Sequence, residues 1–532
     1  MNGSSSRKTG VLVVGAGPTG LVLGLWLTSL GVRVRIIDKT SEPGTTSRAL
    51  AVQARTLELY RQIGLADAVV AGGRKMGAAN LWVAGKQVAH AVLGDMGAGI
   101  SPFPYALIFP QDEHERVLID RLARAGVEIE RQTELVTFEE AAGGVLARLG
   151  RADGASEACE AAYIAGCDGA HSTVRQGLAI GFPGGTYEHL FYVADVEARG
   201  AAMNGELHAA LDTTDFLAVF PLKADGHARL IGTVRAGTDH QPGSLSWGDV
   251  SARVIEWMRI AVERVHWFST YRVHHRVADR FRRGRVFLLG DAAHVHSPVG
   301  GQGMNTGIGD AVNLAWKLAA VVQERAEPSL LDSYEPERIA FARRLVATTD
   351  RAFTGVTSTG SIARRVRLNL VPVVIPTIFT LTAARRFMFR TISQTSVNYR
   401  GSSLSEGRAG TVHGGDRLPW VTAGSDEGDN FTPLTSLDWQ VHVYGEATSE
   451  IQAVCQERAL RLHVFPWRPE IGRAGLRRQA VYLVRPDGYV ALADPEGRAS
   501  AIASYLDGRR LSSGEPARRD RRLDGLSRES AR

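Results

Sequence analysis

Over the first forty positions, apolar runs broken by a glycine-rich segment predict a strand, a helix and a second strand. Val11-Leu12-Val13-Val14 is continuously apolar, as a strand buried on both faces should be. Gly15-Ala16-Gly17-Pro18-Thr19-Gly20 follows, then a helix with Leu21, Leu25 and Leu27 on its apolar side, and then a strand over 32–37 ending at Asp38. Helical patterning resumes over 55–63 and 113–124. From 187 to 235 the texture changes to short strands at 191–198, 206–211, 216–222 and 228–234 with no helix between them. That reads as an antiparallel sheet embedded in the chain. A helix over 250–264, a buried strand over 285–289 and helices over 307–323 and 331–348 are expected next. Glycine and serine become dense over 401–415, which marks a linker. Beyond it the pattern predicts a small α/β unit: strand 439–444, helix 450–458, strand 462–465, and a hairpin over 480–493 turning on Pro486-Asp487-Gly488.

Composition narrows the class. The chain has 532 residues, 44% hydrophobic and 22% charged, which excludes disordered and collagen-like chains. Its three cysteines, Cys159, Cys167 and Cys455, cannot build a disulfide scaffold or a cysteine-rich zinc site. The pI near 9.3 invites a nucleic-acid or anionic-membrane reading. However, residues 508–532 hold 8 Arg against 4 acids and so carry +4 of the net +6. The basicity therefore describes a disordered tail, and no nucleic-acid partner is expected. The apolar stretch 368–384 is uncharged and flanked by arginines, but it is shorter than the ~20 residues a bilayer needs and contains Pro372 and Pro376. It reads as a buried or oligomer-facing helix pair. No stable membrane insertion, no targeting segment and a cytoplasmic location are expected.

Three motifs carry chemistry. In the first, Gly15-x-Gly17-x-x-Gly20 sits between a strand and a helix, with Asp38 at the tip of the next strand. Small residues let backbone approach a pyrophosphate, the helix N-terminus offers N–H groups, and Asp38 is placed to accept a ribose hydroxyl. This is a dinucleotide site, but it does not itself separate FAD from a nicotinamide. The second motif, Ala165 to Arg175, ends an apolar strand in Asp168-Gly169, with Ser172 and Arg175 downstream. The third runs Val286 to His294 and on through Pro298, Gly300-Gly301-Gln302-Gly303-Met304-Asn305. Here a buried strand delivers Asp291, and a glycine-rich turn then opens a long helix, an arrangement suited to N–H groups aimed at an electron-rich ring edge.

Together the motifs resemble those of the single-component FAD-dependent aromatic hydroxylases, relatives of para-hydroxybenzoate and phenol hydroxylases. The likeness covers most of residues 10–345 and includes Ser47-Arg48-Ala49, Arg55-Thr56-Leu57-Glu58, Gln111, and Asp310-Ala311-x-Asn313-Leu314. It implies an α/β fold: a Rossmann-like FAD-binding domain (1–75, 104–180, 282–400), an inserted antiparallel-sheet substrate domain (76–103, 181–281), a linker (401–415), a thioredoxin-like domain (416–507) and the tail. The layout is similar to that of the aromatic polyketide hydroxylases. The resemblance implies that Gly15, Gly17, Pro18, Thr19 and Gly20 line the FAD pyrophosphate, with Asp38 and Lys39 at the adenosine ribose. Arg48 and Gln111 would contact the pyrophosphate and ribityl side, and Val136 the adenine. Asp168 would serve FAD and NAD(P)H, and Asp291 a ribityl hydroxyl. Pro298 would sit beside the reaction locus, with Gly301, Gly303, Met304 and Asn305 at the flavin pyrimidine edge.

The implied activity is NAD(P)H- and oxygen-consuming hydroxylation of a phenolic or polycyclic aromatic small molecule through a flavin C4a-hydroperoxide. Baeyer–Villiger or other oxygenation on the same scaffold is the alternative; a non-oxygenating flavoprotein and a vestigial FAD-binding scaffold are the remaining readings. The tail unit has a structural or homodimer-supporting role, since Cys455 has no Cys-x-x-Cys partner. His294 and His296 lack a completing ligand shell, so no metal is expected. No residue is singled out as a catalytic base: His208, His227, Arg229, Arg235 and Tyr192 stand unranked. Trp267, Phe268 and Tyr271 read as core and His274-His275 as surface.

Overall fold

The first apolar run forms the strand Arg7–Val14, which pairs in parallel with Val34–Ile37 on one side and Ser156–Gly166 on the other. The computed structural model describes residues 7–44, 49–211, 216–234, 245–297, 300–357, 370, 380–422 and 428–512. The first sheet runs in the order Arg282–Arg283, Val286–Leu288, Ser156–Gly166, Arg7–Val14, Val34–Ile37, Ile129–Glu130. Antiparallel strands Gly144–Arg151 and Thr133–Ala141 extend it off Ser156–Gly166. Val11, Leu12 and Val13 are fully buried, which is what a strand covered on both faces demands. Helices Pro18–Ser29, Gln111–Arg124 and Gly303–Val322 pack around it.

A second sheet has the order His294–Val295, Ile260–Val277, Gly184–Gly200, His227–Thr233, Phe216–Pro221, Leu207–Leu211, Ala78–Val83, Lys86–Val92. Both segments expected in the inserted domain contribute strands to it. The expected helix over 250–264 is cut short: Ala252–Trp257 is helical, and Ile260–Val277 is one long strand. Arg259 explains the break, because its φ of 54° is a left-handed conformation that ends the helix and turns the chain into the sheet.

The C-terminal unit is a sheet ordered Val412–His413, Glu406–Ala409, Val490–Asp494, Val481–Val484, Gln440–Tyr444, Arg461–Phe465. Residues 401–415 are therefore not a free linker. Glu406–Ala409 pairs in parallel with Val490–Asp494, and its glycines serve close backbone approach: a Cβ at Gly407 would stand 2.4 Å from the Ala493 carbonyl oxygen. The packed chain also runs past 507. Leu511 is buried and the Ser512 N–H donates to the Arg325 carbonyl, so the tail proper lies from 513, outside the described residues. Most of the apolar stretch 368–384 also lies outside them. No helix among the described residues is long and apolar enough to cross a membrane.

Two fully buried imidazoles give this fold a pH signature. His114 sits 2.8 Å from the Tyr60 hydroxyl and His442 3.0 Å from Gln440 Oε1, and the Nδ1 of each has no partner among the described residues. Burial pulls both pKa values from 6.5 down to about 3, helped at His442 by nearby His463. The unfolded chain then binds more protons than the folded one below 6.5, so this stability is whole above that value and declines as pH falls toward 3. We expect the urea midpoint to drop between about pH 7.5 and pH 5, each imidazole contributing on the order of 1–2 kcal/mol. His114→Phe should flatten that slope, and an unaltered slope would refute the assignment.

Candidate functional site

The three motifs leave the same sheet side by side. Val14 is in register with Gly166, and Gly166 with Leu288. The Cys167 N–H donates to the Val14 carbonyl at 2.7 Å, and the Leu289 N–H to the Gly166 carbonyl at 3.0 Å. The turns of all three thus meet at the carboxyl edge of parallel strands, where open α/β sheets form ligand clefts.

The first-motif glycines divide their work. A Cβ at Gly15 (φ 103°) would lie 2.4 Å from the Cys167 carbonyl oxygen, and one at Gly20 would lie 2.0 Å from the Gly15 oxygen, so both permit backbone packing. A Cβ at Gly17 would meet nothing within 4 Å, so this glycine faces open space. Helix Pro18–Ser29 starts there with no side-chain cap, which leaves its first-turn donors to a ligand. Asp38 Oδ2 accepts the Ala16 N–H at 2.7 Å, while Oδ1 accepts from the Thr40 N–H and hydroxyl, with Arg131 3.7 Å away.

In the second motif, Asp168 Oδ2 accepts the Val174 N–H at 3.1 Å, whereas Oδ1 is buried without a partner among the described residues. Arg175 spans two motifs, donating to the carbonyls of Ala170 and Ala292. In the third, Gly290 (φ 57°) and Gly307 clasp Thr19: a Cβ at either would lie 2.6 Å and 2.3 Å from its hydroxyl oxygen. Asp291 is exposed on the turn beside Gly290. Gly300 and Gly301 take positive φ, and helix Gly303–Val322 then begins without a side-chain cap. Met304 packs on the main core.

The Asn305 side chain is engaged elsewhere. Its Oδ1 accepts from the Gln53 N–H and Thr56 hydroxyl, and its amide donates to the carbonyls of Ala51 and Gly301. It braces the turn, so any contact with a ligand falls to main-chain groups. Gln111 starts its helix, with its N–H on the Ala49 carbonyl and its amide on Glu115. Lys39 is exposed, and Val136, 46% exposed, is the unpaired residue of a β-bulge. Arg48 and Pro298 lie outside the described residues.

Three site residues, Asp310, Arg338 and His296, receive no binding or catalytic role from sequence reasoning. Fully buried Asp310 accepts the Gly290 N–H at 3.0 Å, lies 2.7 Å from His294 Nε2 and receives Arg338 Nε at 2.6 Å. Burial alone would raise its pKa, but Arg338 and His294 outweigh burial and hold it below the ordinary carboxylate value. The signal available was a carboxylate inside an apolar helix. His296 is the third: Nδ1 lies 2.8 Å from the Ser297 carbonyl, and buried Nε2 has no partner among the described residues. Burial, with His294 adding to it, lowers its pKa to about 4, so it is a neutral ring near neutral pH.

The glycine geometry yields a paired test. Gly17→Ala should fold and melt like the unsubstituted chain while retaining FAD at least about tenfold more weakly, a loss of about 1.4 kcal/mol. Gly20→Ala should instead lower the melting temperature of the flavin-free protein. Flavin fluorescence after dialysis, together with thermal melts, checks both; equal flavin retention in Gly17→Ala would refute the open-face reading.

The donor set fits a flavin dinucleotide: uncapped helix starts at Gly17 and Gln302, an open Gly17 face and an orphaned Asp168 oxygen. The family model described as "FAD binding domain" matches residues 8–349. The 6-methylpretetramide 4-monooxygenase of Streptomyces rimosus is 33% identical over 535 residues, covering 93% of this chain and 92% of that protein. The 12-dehydrotetracycline 5-monooxygenase/anhydrotetracycline 6-monooxygenase of Streptomyces rimosus subsp. rimosus is 35% identical over 349 residues, 64% of this chain and 68% of its own. Among solved structures, OxyS anhydrotetracycline hydroxylase from Streptomyces rimosus superposes with a TM-score of 0.75 at 28% identity, covering 96% of this chain and 100% of its own. The sheet-edge cleft and these relatives agree: the chain belongs to the FAD-binding-domain family of flavin-dependent monooxygenases, and FAD is its cofactor.

Proposed function

We propose that the protein hydroxylates a phenolic, polycyclic aromatic small molecule of the polyketide type, with NAD(P)H as electron donor. The observation that carries this reading is the coupling of the flavin cleft to an aromatic sheet face. His294–Val295, immediately after the third motif, is the edge strand of the second sheet, with Val295 opposite Arg276 and His294 opposite Val277. One face of that sheet clusters Phe191, Val193, Tyr271 and Val273 with Trp267 and Ile231 packed against them. The four are buried, so they form a packed apolar wall of the kind that can back a planar ring system. The tetracycline-type compounds in the names of the relatives are of the same class.

In this reading the Gly17 face and the helix start at Pro18 would hold the pyrophosphate, Asp38 a ribose hydroxyl, Asp168 Oδ1 and Asp291 further cofactor hydroxyls, and Gln111 the ribityl side. FAD supplies hydride acceptance and oxygen activation. The main-chain N–H groups opening Gly303–Val322, which lack a side-chain cap, would stabilise negative charge on the reduced flavin. His296 Nε2, lying 3.7 Å from where a Gly303 Cβ would stand, is a neutral acceptor that would orient the phenol hydroxyl by a hydrogen bond. One oxygen atom enters the substrate and the other leaves as water, with two electrons from NAD(P)H.

We read the C-terminal unit as a thioredoxin-like domain, and its strand and helix order supports the reading. Gln440–Tyr444 and Arg461–Phe465 are parallel around helix Ser449–Glu457, and the Val481–Val484/Val490–Asp494 hairpin lies on the other side of Gln440–Tyr444. Its lone Cys455 is buried, with the thiol pushed up to about 11, so the unit supports packing and not thiol exchange.

Incubation with a phenolic and polycyclic panel, NADH or NADPH and labelled oxygen should give a product carrying one labelled oxygen by mass spectrometry. A lactone would move the assignment to Baeyer–Villiger chemistry. His296→Leu should keep NAD(P)H-driven flavin reduction and lose product; full hydroxylation would refute its role. Asp291→Ala should lower flavin occupancy.

A further inference from the structure

Away from the cleft, three neighbouring strands of the second sheet bring a carboxylate and two imidazoles together. Glu197 on Gly184–Gly200 is directly opposite His227, the first residue of His227–Thr233. On its other side, Asp195 pairs with Trp267 and Val196 with Val265, so His266 is the extra residue of a β-bulge. The bulge presents its ring to the same spot. The His227 and His266 rings stack 5.4 Å apart at 12°, and His266 Nε2 lies 3.7 Å from Glu197 Oε2. One ligand atom from each of the three residues falls within 4.8 Å of the other two.

We propose that Glu197, His227 and His266 form a binding site for a divalent transition ion of the zinc type. Charge pairing on this face favours it. The next carboxylate along the strand, Asp195, is neutralised by a two-point ion pair with Arg229. Glu197 has no Lys or Arg within ion-pair distance among the described residues, and neither imidazole has a hydrogen-bond partner among them. Two imidazole nitrogens with one carboxylate select a borderline transition ion over calcium or magnesium, which prefer all-oxygen shells. Zinc–ligand bonds of about 2.0–2.1 Å put tetrahedral ligand atoms about 3.3 Å apart. The 3.7 Å His266–Glu197 contact is already near that spacing, and the half-exposed side chains close the remainder by small rotations. Water takes the open position. The bound ion ties three adjacent strands together and acts as a cross-link of the substrate-side sheet, separate from the flavin chemistry.

The test uses the full-length, FAD-loaded protein stripped with chelator. Titration with zinc chloride by calorimetry should show one equivalent bound, and cobalt(II) chloride should develop a visible ligand-field band of a low-coordinate site. His227→Ala, His266→Ala and Glu197→Gln should each weaken zinc binding at least about tenfold. Zinc should raise the melting temperature of the parent protein but not of the variants, whose metal-free melts report their folding. NAD(P)H-driven flavin reduction should be unchanged in all three. Absence of stoichiometric binding, or the same affinity in the three variants, overturns the proposal and leaves the flavin assignment untouched.

Discussion

Everything at the cleft hangs on one buried carboxylate. Asp310 has no access to water, and an unpaired charge there costs several kcal/mol. Its oxygens are therefore spent on the Gly290 N–H, His294 and Arg338. Each contact fixes a separate piece. The Gly290 bond sets the turn that carries Asp291, and His294 begins the edge strand of the second sheet. Arg338, which also donates to the Thr306 carbonyl and the Tyr399 hydroxyl, clamps the long helix from behind. Removing the carboxylate would strand two cationic or polar partners in a dry interior, so the turn, the helix start and the sheet edge are held as one object.

The same logic fuses the C-terminal unit to the rest. Glu337 is fully buried between Lys317 and Arg485, and Arg485 in turn chelates Asp487, whose carboxylate accepts the Trp316 indole N–H. Burial draws the Lys317 pKa down to about 8 against the attraction of Glu337. A second buried group joins Glu58 to Arg55 and Arg417. These pairs lie across a continuous apolar core in which Trp316 meets Trp439 edge-on. Two of the residues, Arg55 and Glu58, stand just after Gln53, which Asn305 grips. The C-terminal unit therefore buttresses the helix that opens the flavin site, and the hairpin turn at Pro486-Asp487-Gly488 is a structural contact as well as a turn.

What was legible from sequence is what local chain chemistry dictates. The strand–turn–helix of each motif is contiguous, so glycine spacing and apolar runs announce it directly. The pairing of those motifs on adjacent strands, and the partners of some buried charges, are set by residues more than a hundred positions apart. Arg485 with Glu337 and Arg417 with Glu58 have no local signature. Asn305 illustrates the limit within a motif: its position was legible, but its side chain is committed to Ala51, Gln53 and Thr56. The strand Ile260–Val277 was hidden because the helical pattern of its first residues is interrupted by a left-handed residue, Arg259, that carries no glycine flag. The glycines of 401–415 read as slack, yet at Gly407, Gly410 and Gly414 an added Cβ would stand under 3 Å from neighbouring backbone atoms.

The two sheets divide the enzyme's problem. Flavin handling needs exposed backbone donors and tolerates almost no side chain, so it sits where parallel strands end and glycines bare the main chain. In the proposed function, recognition of a large planar substrate needs side-chain area and would fall to the antiparallel sheet, whose alternation sets Phe191, Val193 and Tyr271 on one face while Ala194, Val196 and Leu230 fill a core on the other. The strand His294–Val295 belongs to both problems, since it leaves the flavin turn and enters the substrate sheet within two residues of Ala292. Substitutions on the aromatic face can therefore change which ring system is accepted without moving the cofactor. Substitutions around Gly290 and Asp310 cannot, because that turn positions both at once.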